Sequence, residues 1–146
     1  MVLLLNAAST WAMVGLIWFV QMVHYPLFAG VGAAGYVDYQ ALHMRTTGWV
    51  VGPLMLMELV TSLLLVVPAL RPAGVPPWLL WAGLATVAVN WLSTVTLQIP
   101  AHDVLTRGFD LAAHRRLVLT NWIRTAAWTL HGVLTVWAIH AAMRHQ

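Results

Sequence analysis

The chain has 146 residues, 61% of them hydrophobic and only 8% charged, with a mean hydropathy of +0.80. A water-soluble domain carries about a quarter charged residues, so the composition excludes one and leaves room for a single membrane domain over 1–146. All seven basic residues are Arg, scattered beside apolar segments, so the net charge of +3 does not point to nucleic acid. With no Cys there is no disulfide framework and no thiolate chemistry.

The first apolar stretch, about 2–28, lacks a basic leader and a small-residue cleavage site, and reads as a mature transmembrane helix. The connection over 30–47 contains Tyr36-Val37-Asp38-Tyr39-Gln40-Ala41-Leu42-His43, expected to form a short interfacial helix. A second span covers about 49–70 and ends in the turn Arg71-Pro72-Ala73-Gly74-Val75-Pro76-Pro77, with Pro placed to open a third span over about 77–99. Residues 100–115 hold a second short segment ending at Arg107-Gly108, and Asp110 stands where an N-cap opens a fourth span, about 116–143. Each stretch meets the roughly 20 apolar residues needed to cross a bilayer. The expected fold is an all-α integral membrane protein, a four-transmembrane-helix bundle with two short interfacial helical segments on one face. No internal repeat stands out.

Orientation follows from Arg counting. Arg45, Arg107, Arg115 and Arg116 flank the long connections, and Arg71 and Arg144 lie on the other side. The positive-inside rule then places the long connections in the cytoplasm and both termini outside, as in a bacterial-type inner membrane.

Polar residues recur at helical spacing. Asn6, Thr10, Gln21 and His24 share a stripe of span one; Glu58, Thr61 and Ser62 do so in span two. Asn90, Thr94 and Gln98 follow i, i+4, i+8 in span three, and Asn121, Arg124, Thr125, Trp128 and Thr135 share a face of span four. Lipid cannot satisfy such groups, so the stripes are expected to converge. Helix-to-helix hydrogen bonding accounts for the hydroxyl and amide groups but less well for Glu58, His24 and Arg124.

The ionisable residues gather toward one end. Glu58 lies about ten residues into span two, roughly 15 Å deep at 1.5 Å per residue. Arg124 is at comparable depth, and a buried Glu58–Arg124 ion pair is the main structural alternative to an active site. His24, His43, His102 and His114 come from four different segments that meet at this end. Neutral imidazole is the commonest metal ligand, and three His with a carboxylate suit iron, copper or zinc. The expected metal ligands are therefore His24, His43, Glu58 and His102, with Tyr25, Gln98, Asp110 and His114 around them. An N-cap role competes for Asp110.

The functional expectation is a small membrane metalloenzyme, oxidative in the manner of an oxygenase, oxidase or desaturase, acting on an apolar or lipid-like substrate drawn from the membrane lipid. Glu58 or Asp103 manages protons, while Arg124 and Asn121 orient a polar substrate group or an anionic headgroup. Two rivals stand beside it: haem-binding electron transfer through His24 and His102, and a proton- or ion-coupled transport subunit using Glu58 and Arg124. Four helices make a thin bundle, which suits a homodimer. His131, His140 and His145 are given no role.

Overall fold

The structure, a computed structural model, describes residues 1–145, and every regular element among them is helical. The long elements are α1 (Val2–Phe19), α2 (Tyr36–Val66), α3 (Pro77–Ser93), α4 (Ile99–Leu105) and α5 (Leu111–Met143). Three stretches are long and apolar enough to cross a membrane: Val2–Gly30, Ala33–Val66 and Pro77–Leu105.

Local chemistry explains most boundaries. Val67 precedes Pro68 and adopts an extended backbone (φ −71°, ψ 122°), so α2 stops at Val66 rather than near residue 70. Pro77 opens α3 at a position where its missing N–H costs nothing. Asp110 caps α5: its Oδ1 accepts the Ala113 N–H at 2.7 Å, and the helix begins at Leu111, five residues before the expected 116.

Both expected interfacial segments belong to longer rods. Residues 36–43 are the first two turns of α2, which runs unbroken for 31 residues. Tyr36, Gln40 and His43 are buried at i, i+4, i+7, so continuing the helix keeps one polar stripe facing inward. The segment after Pro100 is α4, joined to α3 without a break.

Two π-helical turns interrupt the rods at matching places. Residues Val20–His24 precede Tyr25-Pro26, and Thr94–Gln98 precede Ile99-Pro100. A proline inside a helix cannot bond the carbonyl four residues back, and its ring clashes with it. The chain widens instead. The Tyr25 N–H bonds Val20 O and the Ile99 N–H bonds Thr94 O, each five residues back. Such bulges occur frequently at functional sites, and these two carry His24 and Gln98.

The rods pack in the cyclic order α1, α2, α3, α5, with the α2–α3 seam the least closely packed of the four. The polar stripes face inward: Asn6, Thr10, Gln21, Glu58, Ser62, Asn90, Gln98, Asn121, Arg124 and Trp128 are all buried. One apolar cluster, including Met13, Ile17, Phe28, Leu105, Leu117 and Trp128, fills the end that carries the histidines. A second, including Leu3, Leu65, Leu79, Leu80 and Leu134, fills the other end.

Candidate functional site

Two polar clusters lie inside the packed rods. The first centres on Glu58, which is 1% exposed. Its Oε1 accepts from the Thr10 hydroxyl and from His131 Nδ1, both at 2.9 Å, and its Oε2 accepts from the Trp128 indole N–H at 2.8 Å. Every partner is a donor and both carboxylate oxygens are engaged. Beside it, the Asn6 amide donates to Thr61 Oγ1 and Ser62 Oγ, each at 2.9 Å. These bonds tie α1, α2 and α5 together. A void of about 20 Å³, room for one water, adjoins His131, Gly83 and Asn6. Gly83 matters here, because a Cβ at that position would sit 3.2 Å from His131 Nε2.

Glu58 therefore pairs with His131, a residue to which the sequence assigns no role. It does not pair with Arg124, and it does not join the histidines expected to share a metal with it. The sequence did carry a signal for His131: it lies seven residues beyond Arg124, on the stripe that also holds Trp128 and Thr135.

The second cluster is built around His24, His43 and His102, which the structure does bring together. His24 Nε2 and His43 Nδ1 lie 2.9 Å apart, and Thr47 Oγ1 is 3.1 Å from the same His43 nitrogen. The His43 and His102 rings are 5.2 Å apart. The Gln40 amide donates to His102 Nδ1 at 2.7 Å, and Tyr25 Oη faces His102 Nε2 at 3.1 Å. This pairing assigns the His102 proton to Nε2, with Tyr25 Oη accepting it. His114 is more distant and donates from Nε2 to the Tyr25 carbonyl at 2.8 Å. Buried Phe28 packs among these rings, 5.0 Å from His43 and 5.3 Å from His24.

The other candidates fall elsewhere. Asp103 is exposed and Asp110 serves as the helix cap. Asn121 donates to Gln21 Oε1 at 2.9 Å, linking α5 to α1. Gln98 donates to Thr120 Oγ1 at 3.0 Å, while its Oε1 makes no hydrogen bond within the protein. Among the described residues, no group of three or more His, Asp or Glu is placed to hold a metal ion.

A cavity of about 280 Å³ adjoins this second cluster and lies in the loose α2–α3 seam. Its inner end presents Tyr25, His43, His102, Gln98 and Arg124; its walls are apolar, with Met55, Val51, Trp91 and Val95. It opens sideways past Gly48 and Gly52, both exposed, where an added Cβ would meet nothing within 4 Å. Glycine in a helix interior is unfavourable by about 1 kcal/mol relative to Ala, and here two of them, one turn apart, leave the wall open. A second cavity of about 250 Å³ touches His24 and Thr47 from the α1 side.

Arg124 is the odd group at this end. It is 6% exposed and makes no salt bridge among the described residues; the neutral Tyr25 hydroxyl lies beside its guanidinium, but its Nε has no hydrogen-bond partner. Its guanidinium carbon lies 5.1 Å over the Trp128 ring, a cation–π contact of about 0.5–2 kcal/mol, well short of the cost of burying a charge.

Taken together, fold and site define a class: an all-helical chain with three membrane-compatible helices and a side-opening cavity whose inner end is polar. Compared with protein-family models, curated proteins and solved structures, the chain matches none.

Proposed function

We propose that this chain is an integral membrane protein of four spans that takes an amphipathic molecule sideways from the bilayer and acts on its polar group with the histidine cluster. The fourth span is α5, whose outward face is apolar: Leu119, Trp122, Ile123, Leu130, Val133, Val136 and Trp137 are exposed, while its His131 and Arg124 point inward. That distribution suits a helix with lipid on one side and partners on the other.

One observation carries the functional reading: the cavity joins an apolar side opening to a polar inner end. Ligand sites commonly combine a mostly apolar wall with a few convergent polar groups. Tyr25 and His102 share a hydrogen bond at that end, so a bound polar group meets a donor–acceptor pair able to pass a proton. A lateral opening lets a lipid-like substrate reach it without crossing water.

The test is mass spectrometry of amphiphiles that stay with the protein through purification in a neutral detergent. The wild-type chain is expected to retain a specific amphiphile, and Gly52→Leu, whose Cβ meets nothing within 4 Å and whose side chain stands in the opening, to lose it. Equal retention by both contradicts the reading.

A second reading, metal-assisted oxidative chemistry by iron, copper or zinc, is favoured by the facing nitrogens of His24 and His43. Their 2.9 Å separation is that of a hydrogen bond, and opening it by about half an ångström gives the roughly 3.3–3.4 Å between two imidazole nitrogens on one tetrahedral ion. His102 completes that set only by leaving Tyr25 or Gln40. About one equivalent of metal in untagged protein, lost in both His24→Ala and His43→Ala, is the result this reading requires.

A further inference from the structure

The geometry points to an anion as the polar group the cavity receives: a carboxylate or phosphate oxygen held by the Arg124 guanidinium. The inference rests on the amphipathic-ligand reading above and names the chemistry of the ligand's head.

Arginine keeps its charge when buried, and its planar fork is matched to carboxylate and phosphate. In this protein the fork has no such partner. Among the described residues the one buried acid is Glu58, and its oxygens are taken by Thr10, Trp128 and His131. The Trp128 ring bonds Glu58 through its indole N–H and receives Arg124 over its face. The indole therefore stands between the two opposite charges. The other acids, Asp38, Asp103 and Asp110, are exposed. A charge left this way in a low-dielectric interior is expensive unless paired, and the space it borders is the cavity.

The neighbouring groups favour the same ligand. Trp91 also lines the cavity, and its indole N–H makes no hydrogen bond within the protein. A second unpartnered donor thus belongs to a residue lining the same cavity as the guanidinium. Among the described residues no carboxylate lines the cavity to repel an anion. Gln98 Oε1, an unpartnered side-chain acceptor of a residue lining the cavity, suits a hydroxyl carried by the ligand. An apolar tail then leaves past Gly48 and Gly52 into lipid.

The experiment is native mass spectrometry in a neutral detergent with decanoate, decyl phosphate, decanol and inorganic phosphate as probes, on wild type and Arg124→Gln. A charged hydrogen bond predicts that the two anionic amphiphiles bind at least about tenfold more tightly than decanol. In Arg124→Gln all three amphiphiles should bind within about twofold of one another. The stronger of the two anionic probes identifies the head as carboxylate or phosphate. If decanol binds wild type as well as the anions do, the anion inference is overturned and the amphiphile reading stands. Inorganic phosphate binding as tightly as decyl phosphate keeps the anion and overturns the amphiphile. Should no probe bind wild type, both fall. Arg124→Gln removes a charge with no counter-ion, so it is expected to fold; a Gln variant that fails to fold, while Arg124→Lys folds and binds the anions no better than decanol, overturns the assignment.

Discussion

The two polar clusters share one interior and differ in how complete they are. Around Glu58 every carboxylate oxygen is engaged, the neighbouring Asn6 amide reaches two hydroxyls, and the adjoining void holds no more than a water. Around Arg124 the charge has no counter-ion, and its Nε, an indole N–H and an amide oxygen have no protein partner; they are grouped at a cavity about fourteen times as large (280 Å³ against 20 Å³). Buried polar groups in a finished protein are nearly always satisfied. The groups around Glu58 meet this rule and tie three helices together; those around Arg124 do not, and they differ from other unpartnered atoms, such as the Asn90 amide, in lining a cavity. The comparison distinguishes Glu58 from Arg124 where burial alone does not, since both are buried.

The largest effect should come from the complete cluster. Glu58→Ala leaves Thr10, Trp128 and His131 without their acceptor and is expected to destabilise by about 3–5 kcal/mol, read as a lowered unfolding midpoint in detergent. A loss under about 1 kcal/mol breaks the structural assignment. The glycines give a sharper contrast. Gly83→Leu drives a side chain into His131 Nε2, with an expected cost of about 1–3 kcal/mol. Gly52→Leu enters open space and gains helix propensity, so stability should stay level or rise by up to about 1 kcal/mol while ligand retention disappears. A smaller effect is expected at Asn6→Leu, which removes the bonds to Thr61 and Ser62: about 0.6–1.7 kcal/mol, the range for hydrogen bonds between membrane helices.

Local signals in the sequence located much of this, and pairings at a distance did not follow from it. Asp110 as a cap, Pro77 as a helix start and the inward stripes of α1, α3 and α5 are set by neighbours within a turn or two, and the structure has them. The partner of Glu58 depends on the axial register of α2 against α5. The sequence suggests helix starts near residues 49 and 116, where the structure has Tyr36 and Leu111. Arg124 and His131 are on one stripe, seven residues or about 10 Å apart, and depth counted from misplaced starts cannot choose between them. The meeting of His24, His43 and His102 was legible because all three lie near helix ends at one side. The π turns that deliver His24 and Gln98 were not: Pro26 and Pro100 follow them, but Pro53 lies inside α2 with no such turn, so a proline alone does not announce one. The open α2–α3 seam was hidden too, because two glycines one turn apart do not say whether a neighbouring helix or open space lies beside them.

The most direct test of the contrast is thermal unfolding of Arg124→Met, with and without decanoate, beside wild type. If Arg124 awaits a ligand, the ligand-free variant unfolds at or above the wild-type temperature, because a buried charge without a counter-ion has been replaced by an apolar side chain of similar length. Decanoate then raises the wild-type midpoint and leaves the variant unmoved. If instead Arg124→Met is destabilised as severely as Glu58→Ala, the guanidinium is part of the structural framework, and the cluster around it is not an open ligand site.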